Sequence, residues 1–584
     1  MSGEANVCQN CKAQFTIEAE DFKFYEKMDL PSPKLCPDCR YQRRLAHRNE
    51  RVLYNRTCDA TGEDIVSIHP QDAPFPVYEQ AYWMGDKWDP MQYGRDFDFS
   101  RPFFEQFEEL QRVVPRINLR NNESVNSKYT NQCEHNRDCY LLVASCYSEN
   151  TMYANWAMYC KDSLDAYNLF RSEWCYEGIN CQLASNLFWC MQVESSFECW
   201  FSYDLRGCNN CFLSSNLRNK SYYWENKPLS KEEYQKRFAA AKTGSFTAVS
   251  ALRKKWLEHM ERSLHKFSSQ RSVQNVSGDM IFESKNVSQS FNVTRSENVK
   301  YCADVLEIKD CMDNTEVAFR FERNYEAHGS PALANTIAAN ICWESFDLNY
   351  CNLCGYSNNL FGCIALKQKK YCILNKQYSK EDYNALKAKI IEHMKKTGEW
   401  GEFFPVTMSP FAYNETTALE YFPMTKEQVL QHGWRWSETL PGTSGKGTIA
   451  MQDIPDNIKD ASETITKEIL TCQDCGKNYL ILPQELVFYQ NMVLPIPRQC
   501  PNCRHYARLA LRNPRKLWHR KCMCQAKNHR SHGETGCPTE FETTYPPRPT
   551  RLDSAKRASE RVEAGAPDRK EIVYCEQCYL AEVA

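Results

Sequence analysis

From Asn121 to about residue 378 the chain alternates short polar and apolar steps, and each step closes on a cysteine or an aromatic ring. Arg137-Asp138-Cys139-Tyr140, Ser172-Glu173-Trp174-Cys175-Tyr176, Ser196-Phe197-Glu198-Cys199-Trp200 and Asn209-Asn210-Cys211-Phe212 are examples. Cys139, Cys160 and Cys181 lie 21 apart, and weaker steps recur roughly every 11–13 residues. That is about one long side of a coil in a stack of β-solenoid turns, whose interior is a column of small or apolar side chains. Cysteine is compact and apolar enough for such a column. The texture then returns. Asn226-Lys227 and Ser230-Lys231-Glu232-Glu233-Tyr234 match Asn375-Lys376 and Ser379-Lys380-Glu381-Asp382-Tyr383 at an offset of 149. The pattern predicts two β-solenoid lobes, 121–229 and 269–378. A capping helix follows each, in 230–268 and from 379, started by Ser230 and Ser379 and shielding the open coil end.

Aromatic stretches border the lobes. In 61–120, Phe103, Phe104, Phe107 and Leu110 recur at helical spacing behind Ser100-Arg101-Pro102, a helix start that packs on a neighbour. In 379–440, Thr425 with Gln428 caps a short helix ending near Gly433. Residues 441–465 open on Pro-Gly-Thr-Ser-Gly and read as a flexible linker.

The two ends carry a second pattern. Cys8, Cys11, Cys36, Cys39 and Cys58 fall on Cys472, Cys475, Cys500, Cys503 and Cys522 at a constant offset of 464. Phe24-Tyr25, Leu30, Pro31 and Pro33 fall on Phe488-Tyr489, Leu494, Pro495 and Pro497. Two CxxC turns bring four thiolates into the tetrahedron that structural zinc prefers. The predicted architecture is thus mainly β, with zinc ribbons over 1–60 and 466–584 flanking the lobes. Cys522, Cys524, Cys575 and Cys578 suggest a further zinc site in the second module, with Cys537, His529 and His532 as competing ligands. Between them Thr550–Glu571 reads as a charged insertion. Val77-Tyr78-Glu79-Gln80-Ala81-Tyr82 looks like a worn copy of Val573–Tyr579, which leaves Cys58 an orphan.

Composition narrows the setting. The 31 cysteines divide into 14 in the terminal modules and 17 in the middle. The start, Met1–Asn10, has no basic or apolar signal segment, so the expected setting is cytoplasmic, with thiols and zinc thiolates in place of disulfides. No apolar run is long enough for a membrane span. The net charge of −2 hides a local excess. Residues 472–530 hold 11 Lys and Arg against 2 acids. Arg40, Arg43, Arg44 and Arg48 in the first module, and Arg504, Arg508, Arg512, Arg515, Lys516 and Trp518 in the second, form basic runs with interleaved aromatics, the footprint expected for RNA. The alternative is a solvated helix face, salt-bridged to the acidic middle of the chain.

The motifs CxxC, FY, PxP, CPxCR and RN, with the closing VYCEQCY, resemble the zinc-ribbon modules of uncharacterised bacterial proteins, and the overall plan is similar to large Cys-rich repeat proteins of small-genome bacteria. The resemblance implies Zn2+ binding in a cytoplasmic setting and carries no activity. Three functions stay open. One is a non-catalytic binding protein that contacts RNA or a ribonucleoprotein through its ribbons. The second is a scaffold for other proteins. The third is a solenoid enzyme acting on carbohydrate through acids such as Asp138, Asp162, Asp165, Glu173, Glu177 or Asp204 with Arg206.

Overall fold

The middle of the chain is shaped by a three-residue rhythm. Every third residue from Glu123 to Glu225 has a positive φ, with Gly207 in step. Asparagine and aspartate tolerate this left-handed conformation because their short side chains bond locally. They hold many of these positions, including Asn126, Asp138, Asn150, Asp162, Asn168 and Asn180. The structure, a computed structural model, describes residues 3–547 except 528, 530, 531, 533 and 534, together with 571–583.

The repeated left-handed corner turns the chain so that it returns beside itself after twelve residues. Asn155 pairs in parallel with Tyr167, and Tyr167 with Ile179. The same offset joins Ser185 to Phe197 and Phe197 to Asn209. Much of 274–373 has the same register, as at Lys285 with Glu297 and Glu297 with Lys309, with a one-residue shift between Leu306 and Ile308. The longest sheet has 11 strands, parallel except for its last pair. The register slips at Gly278, where a Cβ would lie 1.9 Å from the Ser290 carbonyl oxygen, so only glycine fits. Along the outside, corner side chains bond across the same step: Asn126 donates to Asp138 at 2.6 Å, and Asn286 to Asn298 at 3.0 Å.

The residue that follows a left-handed corner mostly points inward. All the middle cysteines except Cys146 directly follow a positive-φ residue, and these are buried. They fill two columns. Cys133, Cys139, Cys160, Cys175, Cys181, Cys190, Cys199, Cys208 and Cys211 belong to one, and Cys302 through Cys372 to the other. None of the 31 cysteines forms a disulfide.

Each ladder ends in a short antiparallel return, Trp224 with Lys227 and Ile373 with Lys376. Helices follow at Lys231–Ala241 and Phe246–Arg262 after the first, and Lys380–Thr397 after the second. The Ser230 and Ser379 hydroxyls accept from the backbone N–H of Glu233 and Asp382, as predicted. Tyr234 and Tyr383 then pack on Tyr222 and Tyr371 of the last strands.

Two expectations change in detail. Helix Phe103–Val113 is not capped by Ser100; the Glu399 carboxylate accepts from the N–H groups of Phe103 and Phe104 at 2.9 and 2.7 Å. The stretch read as a linker is anchored, because Ile454, Ile458 and Ile465 are buried in the core beneath the C-terminal module.

The terminal modules dock crosswise. Helix Pro37–Leu45, which follows the second CxxC turn, lies against the second ladder. Its partner Pro501–Leu509 lies against the first. The contacts repeat pairwise. Arg40 meets Asp313 at 2.9 Å, and Arg504 meets Asp165 at 2.9 Å. Arg44 reaches Asp313 and Glu326 at 3.4 and 3.1 Å, and Arg508 reaches Asp165 and Glu177 at 3.0 and 2.9 Å.

Candidate metal centres

The first centre is built by two tight turns. In each module a short strand pair presents the first CxxC turn, and the second CxxC opens a helix with proline after its first cysteine. The sulfurs of Cys8, Cys11, Cys36 and Cys39 lie within 4.8 Å of one another, as do those of Cys472, Cys475, Cys500 and Cys503. Cys11 and Cys36 are 3.7 Å apart, and Cys475 and Cys500 3.8 Å. A tetrahedral zinc with Zn–S of about 2.3 Å has sulfurs about 3.8 Å apart, so the group fits the ion. Burial raises the Cys8 thiol, but backbone N–H groups of Cys36, Cys11 and Asn10 outweigh it and bring it down to about 7. The Cys472 thiol likewise falls to about 7 under Cys500, Cys475 and Asp474.

The third centre needs a correction. Cys522, Cys537, Cys575 and Cys578 form the four-sulfur group, and Cys524 is not in it. Strands Trp518–Lys521 and Glu540–Thr543 form a hairpin that returns Cys537 beside Cys522. The Cys537 N–H donates to the Cys524 carbonyl at 3.1 Å, and Cys537 and Cys575 sulfurs are 3.9 Å apart. Cys524 instead groups with His529, His532 and Cys578. The charged insertion Thr550–Glu571 lies outside the described residues apart from Glu571.

The N-terminal counterpart keeps the shape without the ligands. The Glu79 N–H donates to the Cys58 sulfur at 3.2 Å, as the Cys575 N–H does to Cys522 at 3.2 Å. Strand Val77–Tyr78 pairs with Arg116–Ile117 as Ile572–Tyr574 pairs with Leu264–Lys266.

The basic runs face inward. Arg40, Arg43, Arg44, Arg48, Arg504 and Arg508 are buried. Arg43 pairs with Glu326 at 2.6 Å and Glu402 at 2.7 Å, and Arg48 with Glu316 at 2.5 Å and Glu50 at 2.7 Å. Arg512 stacks on Tyr167 and Tyr421, and Arg515 binds Asp304 at 2.6 Å. Burial lowers the Arg40 and Arg504 guanidiniums, but Asp313 and Asp165 outweigh it and hold both above their usual range. A guanidinium held this way is already matched by carboxylates and turned from solvent. Of the expected RNA contacts, Lys516 is exposed and Trp518 half-buried.

The acids considered for catalysis are similarly engaged. Asp165 and Glu177 hold the C-terminal module, Asp204 pairs with Arg218 at 2.9 Å, and Asp162 accepts from Asn150 at 3.1 Å. Sequence reasoning missed Cys537 as a first-choice ligand. Its signal is the lengthened hairpin loop, six residues at 58–63 but eighteen at 522–539.

No helix is long and apolar enough to cross a membrane among the described residues. No protein-family model matches the chain, and no curated protein matches it. A solved structure named as an acetyltransferase from Desulfovibrio desulfuricans G20 aligns at 10% identity over 45% of this chain and 69% of that one, with a TM-score of 0.10.

Proposed function

We propose that this protein is a zinc-bearing, non-catalytic scaffold of the cytoplasm, in which three four-cysteine groups hold Zn2+ and clamp two β-solenoid lobes into one body. The observation that carries the reading is the pairing of each post-knuckle helix with buried acids of the remote ladder, Arg504 and Arg508 on Asp165, and Arg40 and Arg44 on Asp313. A metal site that positions such a helix supplies folding energy. The twelve-residue parallel register supports the solenoid description, and the surfaces of the lobes are the sites for other proteins.

Elemental analysis of the purified chain tests this directly. At least three zinc ions per chain are expected, and a strong chelator should release them while opening the ladder faces to protease. A chain without bound metal, or one whose ladders keep full protection after chelation, would overturn the reading.

RNA contact is the second reading, favoured by the exposed Lys516, whose ammonium lies 5.7 Å from the Trp518 ring. Such a pair can meet phosphate and stack on a base. Fluorescence anisotropy with labelled single-stranded RNA should show salt-sensitive binding that Lys516→Ala and Trp518→Ala each weaken. Equal binding by both variants and the parent chain would remove it.

A further inference from the structure

We infer that the C-terminal module holds two metal ions joined by the Cys578 thiolate. The inference rests on the zinc reading above. Two four-donor groups occur there, Cys522 with Cys537, Cys575 and Cys578, and Cys524 with His529, His532 and Cys578. Within each group the donor atoms lie within 4.8 Å of one another. Seven side chains therefore supply eight ligand positions only if Cys578 serves both ions. A thiolate has the lone pairs to bridge, and sharing it reduces the charge of the pair.

The histidines carry an independent sign of ligation. A metal-binding imidazole commonly gives its other ring N–H to a carboxylate or a carbonyl, which fixes its tautomer and direction. His529 Nε2 lies 3.1 Å from the Glu582 carboxylate, so its Nδ1 faces Cys524, 3.3 Å from that sulfur. His532 Nδ1 lies 3.1 Å from the Thr535 carbonyl oxygen, which leaves Nε2 as the ligating atom. Each ring is thus oriented by an oxygen outside the group.

The other half of the molecule serves as an internal comparison. Its hairpin, Tyr54–Thr57 with Asp64–Ser67, closes with a six-residue loop and has Ala60 where the second half has Cys524. Cys524 replaces Ala60, the longer loop of 522–539 brings His529, His532 and Cys537, and the closing segment brings Cys575 and Cys578. A loop of that length has little apolar material to pack, and two ions would supply the missing core.

The test uses the full chain. Elemental analysis should give four ions, and the double variant His529→Ala/His532→Ala should give three, because it leaves every four-cysteine group complete. In protein loaded with cadmium-113, a bridging thiolate should split two of the four resonances by mutual coupling, and the double variant should abolish that splitting. Three ions in the parent chain, unchanged in the double variant, would overturn the fourth site. Four ions without coupling would overturn the bridge. Fewer than three ions in the parent chain would instead sink the zinc reading on which both depend.

Discussion

Arg508 shows what a buried charge does in this molecule. Its guanidinium meets two carboxylates, Asp165 and Glu177, and its relative exposure is 1%. Removing one partner of a buried pair leaves the other charge unmatched, which costs about 3–5 kcal/mol. Arg508→Ala should therefore lower the urea midpoint steeply, while Lys516→Ala on the surface should change stability by less than about 0.5 kcal/mol. Equal effects of the two would contradict the buried pairing. Histidine supplies the pH dependence. Burial pulls His47 down to about 4, and burial also holds His69, His328 and His505 well below 6.5. The unfolded chain binds protons at these sites from about pH 6.5 downward, whereas folded His47 does so only near 4. Stability should thus fall as pH drops through that window, by up to about 1.4 kcal/mol per pH unit for each such group. His47→Gln should flatten the slope of urea midpoint against pH between 6.5 and 5. An unchanged slope would show that His47 titrates normally.

At the scale of the ladder coil, the corner residue and the inward residue have separate tolerances. Asn180 has φ +53° and is followed by Cys181 in the interior column. Asn180→Gly should be nearly neutral, whereas Asn180→Val should cost about 1–3 kcal/mol, because a β-branched residue is strained there. Cys190→Ala should leave the metal content unchanged, since Cys190 lies in the packing column and in no candidate metal group. Thermal unfolding and elemental analysis check these outcomes, and a lost ion in the Cys190 variant would contradict the packing role. The same elements show what sequence reading can reach. The CxxC turns were legible because a two-residue spacer alone places both sulfurs. The strand-rich middle was legible through its recurring steps. The three-residue rhythm was not, because its corners accept Tyr147, Trp174, Leu183 and Glu198 as well as Asn and Asp. Cys537 displaced Cys524 because hairpin pairing between Trp518–Lys521 and Glu540–Thr543 decides which sulfur returns. The basic runs were visible, but most of their acids lie more than 200 positions away in the chain, 269 for Arg44 and Asp313 and 343 for Arg508 and Asp165.

For the molecule as a whole, the two modules and two ladders are coupled. The Glu485 carboxylate accepts from Tyr153 of the first ladder and from Tyr489 of its own helix, at 2.9 and 2.6 Å. Arg515 of the C-terminal module reaches both Asp304 of the second ladder and Tyr41 of the N-terminal module. Chelation should therefore raise hydrogen exchange in both ladders as well as at the ends. Exchange confined to the modules would show that the clamps are local. Crosswise docking also bears on how the protein is made. On a nascent chain, Asp165 and Glu177 emerge from the ribosome more than 300 residues before Arg508. The earlier ladder must wait with its acids bare until the last segment is translated, while the first knuckle waits for Asp313 and Glu326. A chain terminated before Arg508 is left with the Asp165 and Glu177 carboxylates unmatched on an open face, so a truncated copy differs from a finished one in exposed charge as well as in length.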